Sequence, residues 1–170
     1  MINQEKKPNI IIIFADDLGY GDLGCYGSKI NETPTLDRMA DEGKKFSNFY
    51  VSSPVCSPSR ASLLTGCYPQ RISFGTFDGL RVLFPGQGIG LSTEEKTIAK
   101  TLKESGYSTK IIGKWHCGDQ EDFLPTNHGF DSYFGIPYSN DMGRQVKIKD
   151  YIPNDSSLHK ITKWDRPPLP

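Results

Sequence analysis

The run NIIIIFADD at residues 9–17 constrains the fold more than any other stretch. Six apolar residues follow one another without alternation, and two carboxylates end the run. A strand with one wet face alternates polar and apolar side chains. A continuous apolar run of this length is instead expected in a strand buried on both faces, as in a parallel sheet. Ligands of open α/β sheets sit at the carboxyl ends of their strands. Asp16 and Asp17 are therefore candidate site residues by position alone, and carboxylate oxygens suit a hard cation such as calcium or magnesium.

The rest of the chain alternates in the same sense. TPTLDRMADEG predicts a helix with Thr33 as N-cap, Pro34 at the first helical position and Gly43 at its end. Leu36, Met39 and Ala40 form its apolar face. KFSNFYV, residues 45–51, is a second expected strand. STEEKTIAKTLKESG opens on a capping box of Ser92 and Glu95 and carries Ile98, Ala99 and Leu102 on one side. YSTKIIG, residues 107–113, is a third expected strand, ending at Lys114. Residues 75–91 look glycine-rich and irregular, and from Leu124 onward loops with short extended pieces are expected. Three core strands are few for an α/β sheet, which usually has about five or six. The pattern is that of a chain cut within a larger unit.

Composition narrows the classes. Twenty Lys and Arg balance twenty Asp and Glu, so no nucleic-acid or anionic-membrane partner is indicated. The longest apolar run, residues 10–15, is far below the roughly 20 residues of a membrane span. MINQEKKPN lacks the apolar core of a secretory signal, and the four cysteines fit neither a zinc pair nor a CxxC motif. A cytoplasmic, non-secreted soluble protein with reduced thiols is expected. Cys25, Cys67 and Cys117 are assigned as small buried hydrophobes.

The stretch SSPVCSPSRASLLTG, residues 52–66, places a thiol before a proline and an arginine. Pro58 suits a first helical position and Ser57 can cap it. Cys56 then stands just outside a helix N-terminus, a place that favours an anion. Arg60 adds a positive charge one turn in, and Leu63 and Leu64 are expected to be buried. GKWHCG supplies Lys114 and His116, a cation and a general acid or base, just past a strand. Metal, cations and a nucleophile position together describe an ester hydrolase for an anionic substrate.

These residues resemble the sulfatases of the arylsulfatase type. PVCSPSRASLLTG is similar to the family's first signature, with its Cys-x-Pro-x-Arg core, and GYSTKIIGKWH, residues 106–116, to its second. PNIIIIFADDLGYGDLGCYG resembles the opening strand and metal loop, and NHGFDSYFGIPYSND a later segment of arylsulfatase A-like members. The resemblance covers residues 8–141. It implies an alkaline-phosphatase-like α/β sandwich around a large mixed sheet, here truncated. Residues 1–7 form a polar tail, and 8–170 the N-terminal part of a catalytic domain that ends mid-domain.

The resemblance also implies chemistry. The signature cysteine is oxidised by a formylglycine-generating enzyme, whose tag is Cys-x-Pro-x-Arg. One hydroxyl of the aldehyde hydrate attacks sulfur and expels the alcohol. The other, once deprotonated, collapses to the aldehyde and ejects sulfate. By resemblance Asp16, Asp17 and the modified Cys56 are calcium ligands, and Cys56 is also the nucleophile. Arg60 stabilises the hydrate, Lys114 holds sulfate and diol, His116 is the base that triggers elimination, and Ser139 contacts substrate. The substrate is then a sulfated small molecule or glycan. The family's second histidine and lysine at the sulfate and its Asp-Asn calcium pair have no match. Two carboxylates and one aldehyde oxygen fall short of the roughly six to eight oxygens calcium takes. A phosphatase or phosphonate hydrolase of the same superfold, and a truncated non-catalytic remnant, stay open as alternatives.

Overall fold

The computed structural model describes residues 7–139 and Met142. The chain divides into two compact units between Phe49 and Tyr50.

The first unit holds the apolar run and one helix. Residues 9–14 form no helix and join no ladder among the described residues. Ile11 is 83% exposed and its neighbour Ile12 52%, so both faces of the run are open, contrary to the expected two-sided burial. A strand is buried only by what pairs with it and packs on it, and the only ladder among the described strands joins two others. Residues 45–51 likewise form bends and no strand. Helix α1, Pro34–Glu42, has the expected bounds, with Thr33 at the N-cap and Pro34 in the first turn. Leu36 and Met39 are exposed. The Thr33 hydroxyl does not cap its own helix. It accepts from the Gly24 N–H at 2.8 Å and donates to Asp37 Oδ1 at 2.9 Å. Asp37 Oδ1 also accepts from the Cys25 N–H at 2.7 Å. The glycine-rich loop is thus tied to the first turn of α1. Tyr20 packs edge-on against Tyr26, and their hydroxyls donate to the Phe49 and Phe46 carbonyls.

The second unit carries the core. Helix α2, Cys56–Thr65, ends at Gly66, whose φ of 69° gives the left-handed turn that glycine adopts without a Cβ penalty. Helix α3, Ile98–Glu104, begins five residues later than the Ser92 box suggests. Thr97 is its cap: the hydroxyl accepts from the Lys100 N–H at 3.1 Å and donates to the His128 carbonyl at 2.6 Å. Ser92 instead closes a turn, accepting from the Glu95 N–H through its carbonyl and from the Glu94 N–H through its hydroxyl. Thr97 wins because it is wholly buried and serves two elements at once.

Strand β1, Lys110–Lys114, pairs in parallel with β2, Ser132–Ile136, with Gly113 opposite Gly135. A Cβ on Gly135 would overlap the Gly113 carbonyl oxygen, so this close approach requires glycine. The core joins Ala61, Ile72, Phe74, Phe77, Leu83, Leu91, Trp115 and Cys117. Phe77, Leu83 and Leu91 come from the segment expected to be irregular. It is irregular in path yet buried in content. Leu63 is exposed and Leu64 only partly buried, whereas Ser57, Ser59, Ala61 and Ser62 face inward. No described helix is long and apolar enough to cross a membrane.

Candidate active site

The second unit brings three of the candidate residues onto two adjoining elements and a fourth, His116, just past the end of one of them. Cys56 is the first residue of α2, with Val55 as the N-cap, so the thiol lies inside the first turn and not ahead of it. The helix starts there because first-turn positions need no N–H donor, and Pro58 is tolerated at the third position as well as at the first. Ser57 is then freed from capping. Its hydroxyl accepts from the Leu83 N–H at 3.0 Å, deep in the unit.

Lys114 closes β1 and reaches across to the helix start. Its ammonium donates to Cys56 Sγ at 3.1 Å. Arg60, one turn into α2, donates through a terminal guanidinium nitrogen to the Lys114 carbonyl at 2.6 Å. The helix therefore holds the strand end by its backbone, and the strand end returns a cation to the helix N-terminus. Two positive side chains and the positive end of a helix dipole converge where an anion would bind.

His116 follows two residues on. Its backbone is left-handed at φ 58°, an uncommon state for a side chain with a Cβ. The turn is held because the strand pairing continues past β1: the Trp115 and His116 N–H groups donate to the Ile136 and Pro137 carbonyls, each at 3.0 Å. The ring is 1% exposed, and Nε2 lies 2.8 Å from the Leu83 carbonyl oxygen. The loop carrying Leu83 is strapped down again by Gly86 N–H to Asp119 Oδ2 at 2.6 Å and Leu91 N–H to the Cys117 carbonyl at 2.8 Å. Sequence reasoning missed Ser57 and Leu83 as parts of the site. The one signal was the serine inside the CSPSR run, and it pointed to a cap.

Ser139 is buried, and its carbonyl accepts from the Met142 N–H at 3.1 Å. Asn140 and Asp141, the end of the quoted IPYSND match, lie outside the described residues. Asp16 and Asp17 belong to the first unit, on an exposed bend after the apolar run, with Asp17 at φ 57°. Among the described residues no group of three or more His, Cys, Asp or Glu side chains is gathered as a metal cluster. Burial pushes the Cys117 thiol far up, which keeps it protonated and inert. Cys25 and Cys67 are half-buried thiols and not the fully buried hydrophobes expected.

The sulfatase family model matches residues 8–167, nearly the whole chain. The chain belongs to the sulfatase family. It is 51% identical to human arylsulfatase A over 140 residues, which cover 81% of this chain and 27% of that protein. It is 46% identical to rat N-acetylgalactosamine-6-sulfatase over 151 residues, 87% of this chain and 29% of that one. Among solved structures, Ps i-CgsB in complex with k-i-k-neocarrahexaose matches with a TM-score of 0.74 at 44% identity, over 79% of this chain and 29% of the other. The chain thus spans between a quarter and a third of the length of these sulfatase relatives. Among the described residues the architecture is a small α/β arrangement with a two-stranded parallel sheet.

Proposed function

We propose that this chain carries the nucleophile half of a sulfuric ester hydrolase site, with residue 56 acting as formylglycine, and that the whole protein releases sulfate from a sulfated small molecule or glycan. One observation supports this most directly: the Lys114 ammonium lies 3.1 Å from Cys56 Sγ at the start of α2. The sulfur stands in for the aldehyde or hydrate oxygen of formylglycine. An oxygen at that point would accept the same charge-assisted bond, so the position fits the modified residue. When present, the hydrate supplies one hydroxyl to attack sulfur and a second to release sulfate.

The side chains around it have separable tasks. Lys114 places a positive charge against the reacting oxygen and the sulfate. Arg60 fixes Lys114 through its carbonyl and adds charge behind it. Such preorganised donors act where negative charge develops. His116 takes up a proton in the release step. Ser139 contacts the substrate. For calcium, the carboxylates of Asp16 and Asp17 are the right donor type, and the oxygen of a modified residue 56 is the third ligand in this reading. They would hold the ion together with residues beyond this set, and the ion would neutralise sulfate charge. The name of the rat relative supports an amino-sugar sulfate as one substrate class. The large mixed sheet of an alkaline-phosphatase-like fold belongs to the same proposal, as does a cytoplasmic location.

The test pairs sulfate and phosphate monoesters of one phenol on the full-length protein, produced with and without a formylglycine-generating enzyme. Sulfate release should require the maturation enzyme and should exceed phosphate release. Residue 56 should lose about 18 Da, the change from thiol to aldehyde and no step of ordinary thiol oxidation. Preferred phosphate hydrolysis, or full activity with an unmodified thiol, would refute the assignment.

A further inference from the structure

Ser57, Leu83 and His116 form a relay that runs from the residue beside Cys56 to the imidazole. Leu83 is gripped at both ends of its own residue. Its N–H donates to Ser57 Oγ at 3.0 Å, and its carbonyl oxygen lies 2.8 Å from His116 Nε2. Ser57, Leu83 and His116 are all buried, and Ser57 is completely so. Water therefore does not readily replace either bond.

The chemistry of the second bond assigns a proton. A carbonyl oxygen only accepts, so Nε2 must donate and must carry the hydrogen. In the neutral ring the lone pair then resides on Nδ1. A histidine tautomer is set by the bond its other nitrogen makes. Here that bond goes to a backbone carbonyl, which has no proton to give and no alternative state. The backbone of His116 is at φ 58°, in the left-handed region.

We propose that Ser57 is a positioning residue for His116: through the Leu83 peptide it holds the imidazole in the Nε2–H tautomer, leaving Nδ1 as the nitrogen that takes the proton in catalysis. The inference rests on the proposed function, in which His116 is the base. It adds which nitrogen acts and what holds it. Ser57 touches no reacting atom. It follows residue 56 in the first turn of α2, so the same helix start that presents the nucleophile also sets the depth of the Leu83 loop. Nucleophile and base are thereby referenced to one rigid element, which the 52–66 sequence shows only as a serine next to a cysteine.

The experiment uses the full-length protein carrying formylglycine, with activity normalised to the formylglycine measured at residue 56. Nitrogen-15 spectra of labelled histidine should show the His116 ring as Nε2–H in the parent. Ser57→Ala should keep KM within about twofold and lower kcat by about tenfold to a hundredfold, the scale of a small misplacement of a catalytic group. Ser57→Thr, which keeps the hydroxyl, should recover most of that loss. If Ser57→Ala gives no folded protein, replacing Leu83 by its α-hydroxy acid deletes only the N–H that Ser57 accepts, and the same kcat loss is expected. An Nδ1–H ring in the parent, or an unchanged kcat per formylglycine in the variant, would overturn the relay while sulfate hydrolysis stands. A parent without any sulfate-ester hydrolysis would overturn the proposed function and this inference with it.

Discussion

Lowering the pH should destabilise the second unit through one residue, His128. Its ring is wholly buried, lies 5.5 Å from the Trp115 ring at a 39° tilt, and has no hydrogen-bond partner at either nitrogen among the described residues. Burial, with the Lys100 charge as the lesser cause, lowers its pKa from 6.5 to about 4. The unfolded chain binds a proton near pH 6.5, while the folded chain resists it down to about 4. Between those values the unfolded state holds more protons, so stability falls as pH falls. At roughly 1.36 kcal/mol per pH unit, the window amounts to about 3 kcal/mol. A cation over a tryptophan face recovers about 2 kcal/mol when desolvated, which offsets only part of the burial cost, and the net shift keeps the ring neutral. The assay is urea unfolding of the chain from pH 7 to pH 4, followed by Trp115 fluorescence in a Trp164→Phe background. His128→Phe keeps a ring and removes the titration. Relative to this variant, the parent should lose about 3 kcal/mol between pH 6.5 and 4, with an unchanged denaturant slope. Asp131 does not blur the window. The Lys103 ammonium beside it, with help from the Thr109 N–H, lowers its pKa from 3.8 to about 2, so its contribution is lost only at lower pH. Parallel stability curves for parent and variant, or a His128 that titrates near 6.5 by NMR, would refute the argument.

Gly135→Ala should destabilise the sheet by several kcal/mol, since backbone lies where the Cβ would go; a thermal midpoint equal to the parent's would show that the two strands can separate at no cost. Backbone amides of residues 10–14 should exchange with solvent quickly in this chain, because the run is exposed and unladdered. Strong exchange protection there, with a cooperative thermal transition, would mean the run has found a partner. Unpaired apolar edges of this kind also aggregate, so light scattering should rise with concentration. In the full-length protein, His116→Ala should give a burst of alcohol with little steady turnover, with a loss of about 10²–10⁴-fold typical of a missing general base. Lys114→Ala should slow the burst as well, because its charge serves the sulfate throughout. Near-parental turnover in His116→Ala would remove it from the mechanism.

What could be read without a structure was local. Thr33, Pro34 and Gly43 mark the ends of α1 because proline and glycine preferences act within one turn of the backbone, and the strand expected over 107–113 forms over Lys110–Lys114. The CSPSR and GKWH runs named Cys56, Arg60, Lys114 and His116 because the chemistry of a nucleophile and its cations limits which residue types can serve. Tertiary structure decided the rest. The run at 9–14 has the composition of a buried strand, yet burial depends on neighbours, and its faces are open here. Ser92 and Glu95 have the letters of a capping box, but Thr97 caps α3 because His128, 31 residues away, supplies the second half of its bonding. Leu83 sits in a stretch with no periodicity, and only packing puts its peptide between Ser57 and His116. Such a role rests on one N–H and one C=O, groups that nearly every residue carries, so no side-chain pattern in the sequence can announce it.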